Sequence, residues 1–230
     1  MLLLCIITSI YRKKLVLGDW KGMYKSVKRV LDFVIALGAL LVLWPVMLIV
    51  AILVKATSPG PAIFVQQRVG KDGKVYDMYK FRSMCVGAEQ QEGGVFCTKG
   101  DARVTPVGKF IRATSLDELP QLINILKGEM SLIGPRPVLT YYPKYWNEYT
   151  AEELKRFDVL PGVTGWAAVH GRKTNTVEAR FAYDNYYVDN LSLALDIKIF
   201  FMTIKSVLTN EGNEDDGSAE VVTTEKKDSE

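Results

Sequence analysis

The chain is poor in histidine, in cysteine and in net charge. Its one histidine, His170, sits in "VHGRK" and reads as a structural loop residue rather than an acid–base catalyst. Three cysteines, Cys5, Cys85 and Cys97, form an odd, widely spaced set without zinc-ligand or redox spacing, as expected of reduced thiols facing the cytosol. A formal charge of +3 is too small to imply a nucleic-acid partner. The charge is unevenly placed: residues 210–230 hold an acidic excess, so the remainder is more basic and favours phosphate ligands or a phospholipid surface. There is no internal repeat. The apolar "MLLLCIITSI" matches a secretory signal poorly, because it precedes its charges, "YRKK", and it is too short to span a bilayer. Residues 1–22 read as an extension, with Met23 as a plausible alternative start.

What the chain does have is "FVIALGALLVLWPVMLIVAILV", Phe33 to Val54, without one charge. As a straight helix it would measure about 33 Å, enough to cross the hydrocarbon core. Basic residues flank both ends, Lys21, Lys25, Lys28 and Arg29 before it and Lys55, Arg68, Lys71 and Lys74 after it. A crossing helix would leave one basic flank on the wrong side. Pro45, near the midpoint, removes a backbone hydrogen bond and clashes with the preceding turn. A re-entrant hairpin over residues 23–57, broken at Pro45, satisfies both flanks; a spanning helix with a proline kink is the alternative.

Past "TSPGP", the segments "AIFVQQRV" and "KVYDMYKF" around "GKDG" predict a β-hairpin. Residues 83–110 are glycine-rich and aperiodic and read as a long functional loop. "PQLINILKGEM" is helical in pattern, and "TAEELKRF" opens with a capping box, Thr150 and Glu153. Tyr141, Tyr142, Tyr145, Trp146 and Tyr149 suit either core packing or an interfacial belt. "LALDIKIFFMTIKSVL" is apolar but interrupted by Asp196, Lys198 and Lys205, so it lies on the bilayer surface or packs in the core. Residues 58–209 form the globular part, and 210–230 a flexible acidic tail.

"TSLDELPQ" sets Asp117 beside Glu118 with Pro120 just behind. Ser115 and Glu118 fit a capping box, and from local pattern alone capping is the stronger reading. Starting the helix at Asp117 instead puts Pro120 in its first turn and Asp117 at a dipole end that favours its ionised form. A carboxylate there can attack phosphorus or ligate Mg²⁺. Around it lie cations held by Gly, Pro or aromatic neighbours: Lys80 and Arg82 in "YKFRSM", Lys109 and Arg112 in "GKFIRATS", Arg136 between Pro135 and Pro137, and Arg172 and Lys173 in "HGRK". An arginine between two prolines loses less freedom on binding an oxyanion.

"SPGPAIFVQQRVG", "YKFRSM", "SLDELPQLINILKGEMSLIGPRP", "LPGVTGWAAVHGR" and "YYVDNLSLALDIKI" resemble, in unbroken order over about residues 23–209, the bacterial sugar transferases, and more narrowly the small monotopic phosphoglycosyl transferases. The resemblance implies an α+β, mainly helical fold: a re-entrant helix-break-helix anchor plus a compact cytosolic catalytic part with a small hairpin and interfacial helices. It implies transfer of a sugar-1-phosphate from a UDP-sugar to polyprenol phosphate with release of UMP, at the cytosolic face of a bacterial inner membrane. Asp117 would be the nucleophile and Glu118 its assistant, both able to hold Mg²⁺. Arg112, Arg136 and Arg172, with Lys80, Arg82, Pro135 and Pro137, would bind phosphate or nucleotide. Membrane lipid and downstream glycosyltransferases are the implied partners, and nucleic acid is not. Trp44 stands where many members carry Ser, Leu160 where Arg is common, and Ala168 where Gln is common. A UDP-releasing glycosyltransferase and an idle assembly scaffold are the competing readings.

Overall fold

A computed structural model describes residues 2–91, 94, 100–171 and 176–209, with residues 2–21 and 208 in backbone alone. The first element is α1, Leu2–Thr57, one helix that contains Pro45 rather than stopping at it. Its segment Gly22–Thr57 has a mean hydropathy of 2.8 over its most apolar window, of which only 11 % is buried. Apolar side chains in the middle stand clear of the protein, Leu41 by 66 % and Val42 by 74 %.

The globular part grips α1 on both sides of that exposed stretch. Ahead of it, Ala36 is fully buried among Tyr76, Met78, Leu122 and Ile125. Behind it, Val50 and Val54 pack on Phe81 and Ile111. Polar latches add to the first contact. Arg29 donates to the carbonyls of Ile125 (2.6 Å) and Leu126 (3.1 Å), and Asp32 accepts from the Ser131 hydroxyl at 2.6 Å. Asp196 accepts from Tyr24 (2.6 Å) and Tyr187 (2.8 Å) and pairs with Lys28 at 2.8 Å. At the far end Arg82 donates to the carbonyls of Ser58 (2.7 Å) and Pro59 (2.6 Å), satisfying acceptors that a helix terminus leaves open.

The expected hairpin forms: β1, Ile63–Val69, pairs antiparallel with β2, Val75–Phe81. Helix α2, Pro106–Ala113, starts with Thr105 as side-chain cap and proline in its first turn, which suits both ends of a proline's constraint. Helix α3, Gln121–Lys127, ends on Gly128 in the left-handed conformation, φ 85. Then come β3, Ser131–Ile133, and β4, Val138–Leu139. Strand β4 joins the hairpin in the order β2-β1-β4, while β3 pairs in parallel with β5, Gly162–Thr164. Residues 134–137 therefore bridge two sheets. They do so at close range: a Cβ on Gly162 would lie 2.1 Å from the Gly134 nitrogen.

Three further helices complete the core beside the short α4, Ala151–Leu154, whose Thr150–Glu153 capping box is present. They are α5 (Trp166–Val169), α6 (Val177–Asp189) and α7 (Leu193–Thr209). Helix α7 packs in the core by one face and leaves an apolar face exposed. Leu195, Asp196 and Ile199 are buried, whereas Leu193, Ile197, Phe200, Phe201, Ile204 and Val207 are exposed. The aromatic cluster divides likewise: Tyr149 packs with Phe157 and Phe181, while Tyr141, Tyr145 and Trp146 are exposed. Residues 210–230 lie outside the described residues.

Candidate active site

Asp117 and Glu118 are placed by a single 3-10 turn, Leu116–Glu118, and the expected helix start differs from what is found. α3 begins only at Gln121, with Pro120 in the N-cap position, so Asp117 lies before the helix and outside its first turn. The capping box fails as well. Ser115 adopts a left-handed φ of 56 and makes no side-chain cap bond, and Glu118 turns to Lys80 instead. A serine in this region is uncommon and locally strained, and here it swings the two carboxylates out of the α2–α3 connection.

Glu118 Oε1 accepts from Lys80 Nζ at 3.0 Å and lies 3.9 Å from Arg136 Nη2. Burial pushes the Lys80 ammonium below its ordinary pKa; Glu118 opposes that shift, Arg136 adds to it, and Asp117 opposes it. Both carboxylates line a cleft of about 500 Å³ with Lys80, Arg112, Arg136 and Arg68. Arg82 borders the same cleft, but its two terminal nitrogens are engaged by the carbonyls closing α1. Its evident work is to hold the end of the apolar helix against the hairpin.

Arg136 is aimed by its backbone. Three successive carbonyls are each held: Pro135 by the Gly162 amide (2.8 Å), Arg136 by Arg156 Nη2 (2.6 Å) and Pro137 by Arg68 Nη1 (3.2 Å). Pro135 and Pro137 flank Arg136 and are not among the residues that line the cleft. Arg156 in turn sits 2.7 Å from Asp184, both side chains 1 % exposed. Burial raises the Asp184 carboxyl to about 6 despite the neighbouring Arg156 and Arg180. Arg172 and Lys173 lie outside the described residues. His170 stacks on Tyr183 and contacts the Trp166 carbonyl at 2.8 Å, the structural role expected of it.

The sequence model of the bacterial sugar transferases matches residues 23–210. The chain belongs to that family. Among curated relatives of this sugar transferase is the UDP-N-acetylgalactosamine-undecaprenyl-phosphate N-acetylgalactosaminephosphotransferase of Aeromonas hydrophila, 45 % identical over 82 % of this chain and 45 % of that protein. The UDP-glucose:undecaprenyl-phosphate glucose-1-phosphate transferase of Escherichia coli is 43 % identical over 80 % of this chain and 40 % of its own length. The chain thus spans less than half of either. The exopolysaccharide production protein PSS of Rhizobium leguminosarum is 42 % identical and covered over 95 % of its length.

Reading the sugar transferase sequence alone missed Arg68 as a wall of the cleft. Gln66 accepts from Arg68 and donates to Glu89, tying the hairpin to the loop that follows it. Burial, then Arg136, pushes the Arg68 guanidinium down to about 10. Strand alternation carried the signal: Phe64, Gln66 and Arg68 share one hairpin face, and Lys80 pairs opposite Phe64. Arg156 and Asp184 had no local signal, since residues so far apart in sequence meet only through the packing of α6.

Proposed function

We propose that this sugar transferase is a membrane-bound phosphoglycosyl transferase that moves a sugar-1-phosphate from a UDP-sugar to undecaprenyl phosphate, releases UMP and so begins a bacterial surface or protein-linked glycan. The observation that carries this reading is the carboxylate pair Asp117–Glu118 in a cleft walled by Lys80, Arg68, Arg112 and Arg136. The printed names of the Aeromonas and Escherichia relatives, with UDP-linked donors and undecaprenyl phosphate as acceptor, support the substrate classes.

In the first half-reaction an Asp117 carboxylate oxygen attacks the sugar-bearing phosphorus of the donor. The bond from that phosphorus to UMP breaks, and UMP leaves with the electron pair. In the second, a phosphate oxygen of the polyprenol phosphate attacks the same phosphorus, and the Asp117 carboxylate departs. The four cations offset the charge of the pyrophosphate and of the leaving nucleotide, as phosphoryl transfer requires. Glu118, fixed by Lys80, opposes the loss of charge that burial imposes on that lysine and ties the turn to β2. No cluster of three acidic, His or Cys ligands occurs among the described residues. Two adjacent carboxylates nevertheless fit Mg²⁺, which is commonly held by one or two carboxylates together with substrate phosphates. Bound there, Mg²⁺ would supply further neutralisation of the pyrophosphate.

The re-entrant, one-sided topology draws support from β2. Tyr76 and Met78 pack with Ala36, ahead of Pro45, and Phe81 packs with Val50 and Val54 behind it. The strand between covers only about 17 Å. One domain touching both flanks of the apolar segment is hard to reconcile with flanks on opposite faces of a bilayer. The exposed apolar face of α7 suits the cytosolic surface of the same membrane.

Two experiments test the proposal. Asp117→Asn should abolish UMP release from a UDP-sugar in the presence of polyprenol phosphate; unchanged product formation would favour a scaffold, and release of UDP an ordinary glycosyltransferase. An outer-face thiol reagent should fail to label cysteines placed at Lys25 or Lys55, and labelling of just one would mean a true span.

A further inference from the structure

Glu118 borders two cavities that differ in chemistry. One is the cation-walled cleft described above. The other is a crevice of about 180 Å³ between the Leu116–Glu118 turn and α7, with Leu119, Leu122, Leu132, Val163 and Val207 among its walls. Among the described residues Glu118 is its only charged lining residue; the remaining polar side chains there are hydroxyls, two of which, Thr164 and Thr203, bond each other at 2.8 Å across β5 and α7. Val207 in its wall is 51 % exposed and continues the bare apolar face of α7 through Ile204 and Phe200.

We propose that this crevice receives the first isoprene units of the polyprenol phosphate, so that donor and acceptor approach the carboxylate pair from opposite sides of Glu118. The inference rests on the function proposed above and adds the acceptor's route. Among the described residues that line the crevice there is no cation to hold a nucleotide or sugar phosphate, whereas a hydrocarbon chain finds matching walls. The remainder of the chain stays in lipid, because Val207 belongs both to the crevice wall and to a helix face that is itself apolar and exposed. Its phosphate would then meet the Glu118 wall, where Lys80 and Arg136 stand on the cleft side. Separate routes also let UMP leave through the cleft while the acceptor is already seated.

Filling the crevice separates this idea from the function it rests on. Ala168 on α5 and Ser206 on α7, both half-buried, line the crevice. In Ala168→Leu, and independently in Ser206→Leu, the stoichiometric burst of UMP from donor alone should keep its rate and amplitude, which also shows that the variant is folded. The KM for polyprenol phosphate should rise about tenfold or more, the scale on which a hydrophobic pocket discriminates one or two carbons. An unchanged KM in both variants, or equal slowing of burst and turnover in both, would overturn the crevice as the acceptor's route. No burst from the unmodified protein would instead overturn the two-step function itself.

Discussion

Arg156→Met is the perturbation that most sharply separates stability from positioning. Arg156 holds the Arg136 carbonyl at 2.6 Å and faces Asp184 at 2.7 Å, in a site where both side chains are 1 % exposed. Removing one partner of a buried pair commonly costs about 3–5 kcal/mol. Here the pair is imperfect: Arg156 Nε and Nη1 and Asp184 Oδ2 lack a well-aligned hydrogen bond. The raised Asp184 carboxyl, at about 6, likewise says that burial outweighs attraction to Arg156. The loss should therefore fall at the low end, about 3 kcal/mol, and a chain of this size then loses about 6–12 °C of Tm. Replacing both charges, in Arg156→Met with Asp184→Leu, should recover most of that Tm, since apolar substitutes for a buried pair are often neutral. UMP release should not recover. The loop would lack the donor to its Arg136 carbonyl, and a misplacement of about 1 Å can cost about a hundredfold in rate. Thermal melting in detergent micelles beside a UMP-release assay reads both quantities. Full recovery of rate in the double variant would refute the positioning role.

The remaining predictions concern the cleft and the membrane latch. Lys80 has a lowered pKa, so its ammonium is lost as pH rises through a value below the ordinary 10.5. Donor affinity measured by calorimetry should therefore weaken on the alkaline side below that value, and Lys80→Arg should shift the weakening upward; coincident profiles would contradict it. Asp196→Ala leaves Lys28, Tyr24 and Tyr187 without a shared acceptor in a buried site. It should cost about 3 kcal/mol, seen as a lower Tm with readier proteolysis between α1 and the globular part, and an unchanged Tm would show that the latch is dispensable.

The hairpin, α3, the Thr150 capping box and the apolar run were legible because each has a local cause: alternation, helical period, a cap, or unbroken hydrophobicity. The start of α3 was not. Ser115 takes a left-handed conformation that the SxxE pattern does not announce, and the lysine that claims Glu118 comes from a strand far earlier in the chain. Asp196 read as an interruption of an apolar helix and proves to be a buried acceptor for the anchor helix. Arg82 and Arg136 both read as anion binders from their neighbours in sequence and from the family resemblance. Only packing separates them, one engaged by the end of α1 and the other left facing the carboxylate pair.

The most direct measurement is the intact mass of the purified protein after brief exposure to a UDP-sugar without acceptor. The account predicts a gain equal to one sugar phosphate, absent in Asp117→Asn and discharged by polyprenol phosphate. Product formation with no such adduct, under conditions where unmodified protein turns over, would contradict it.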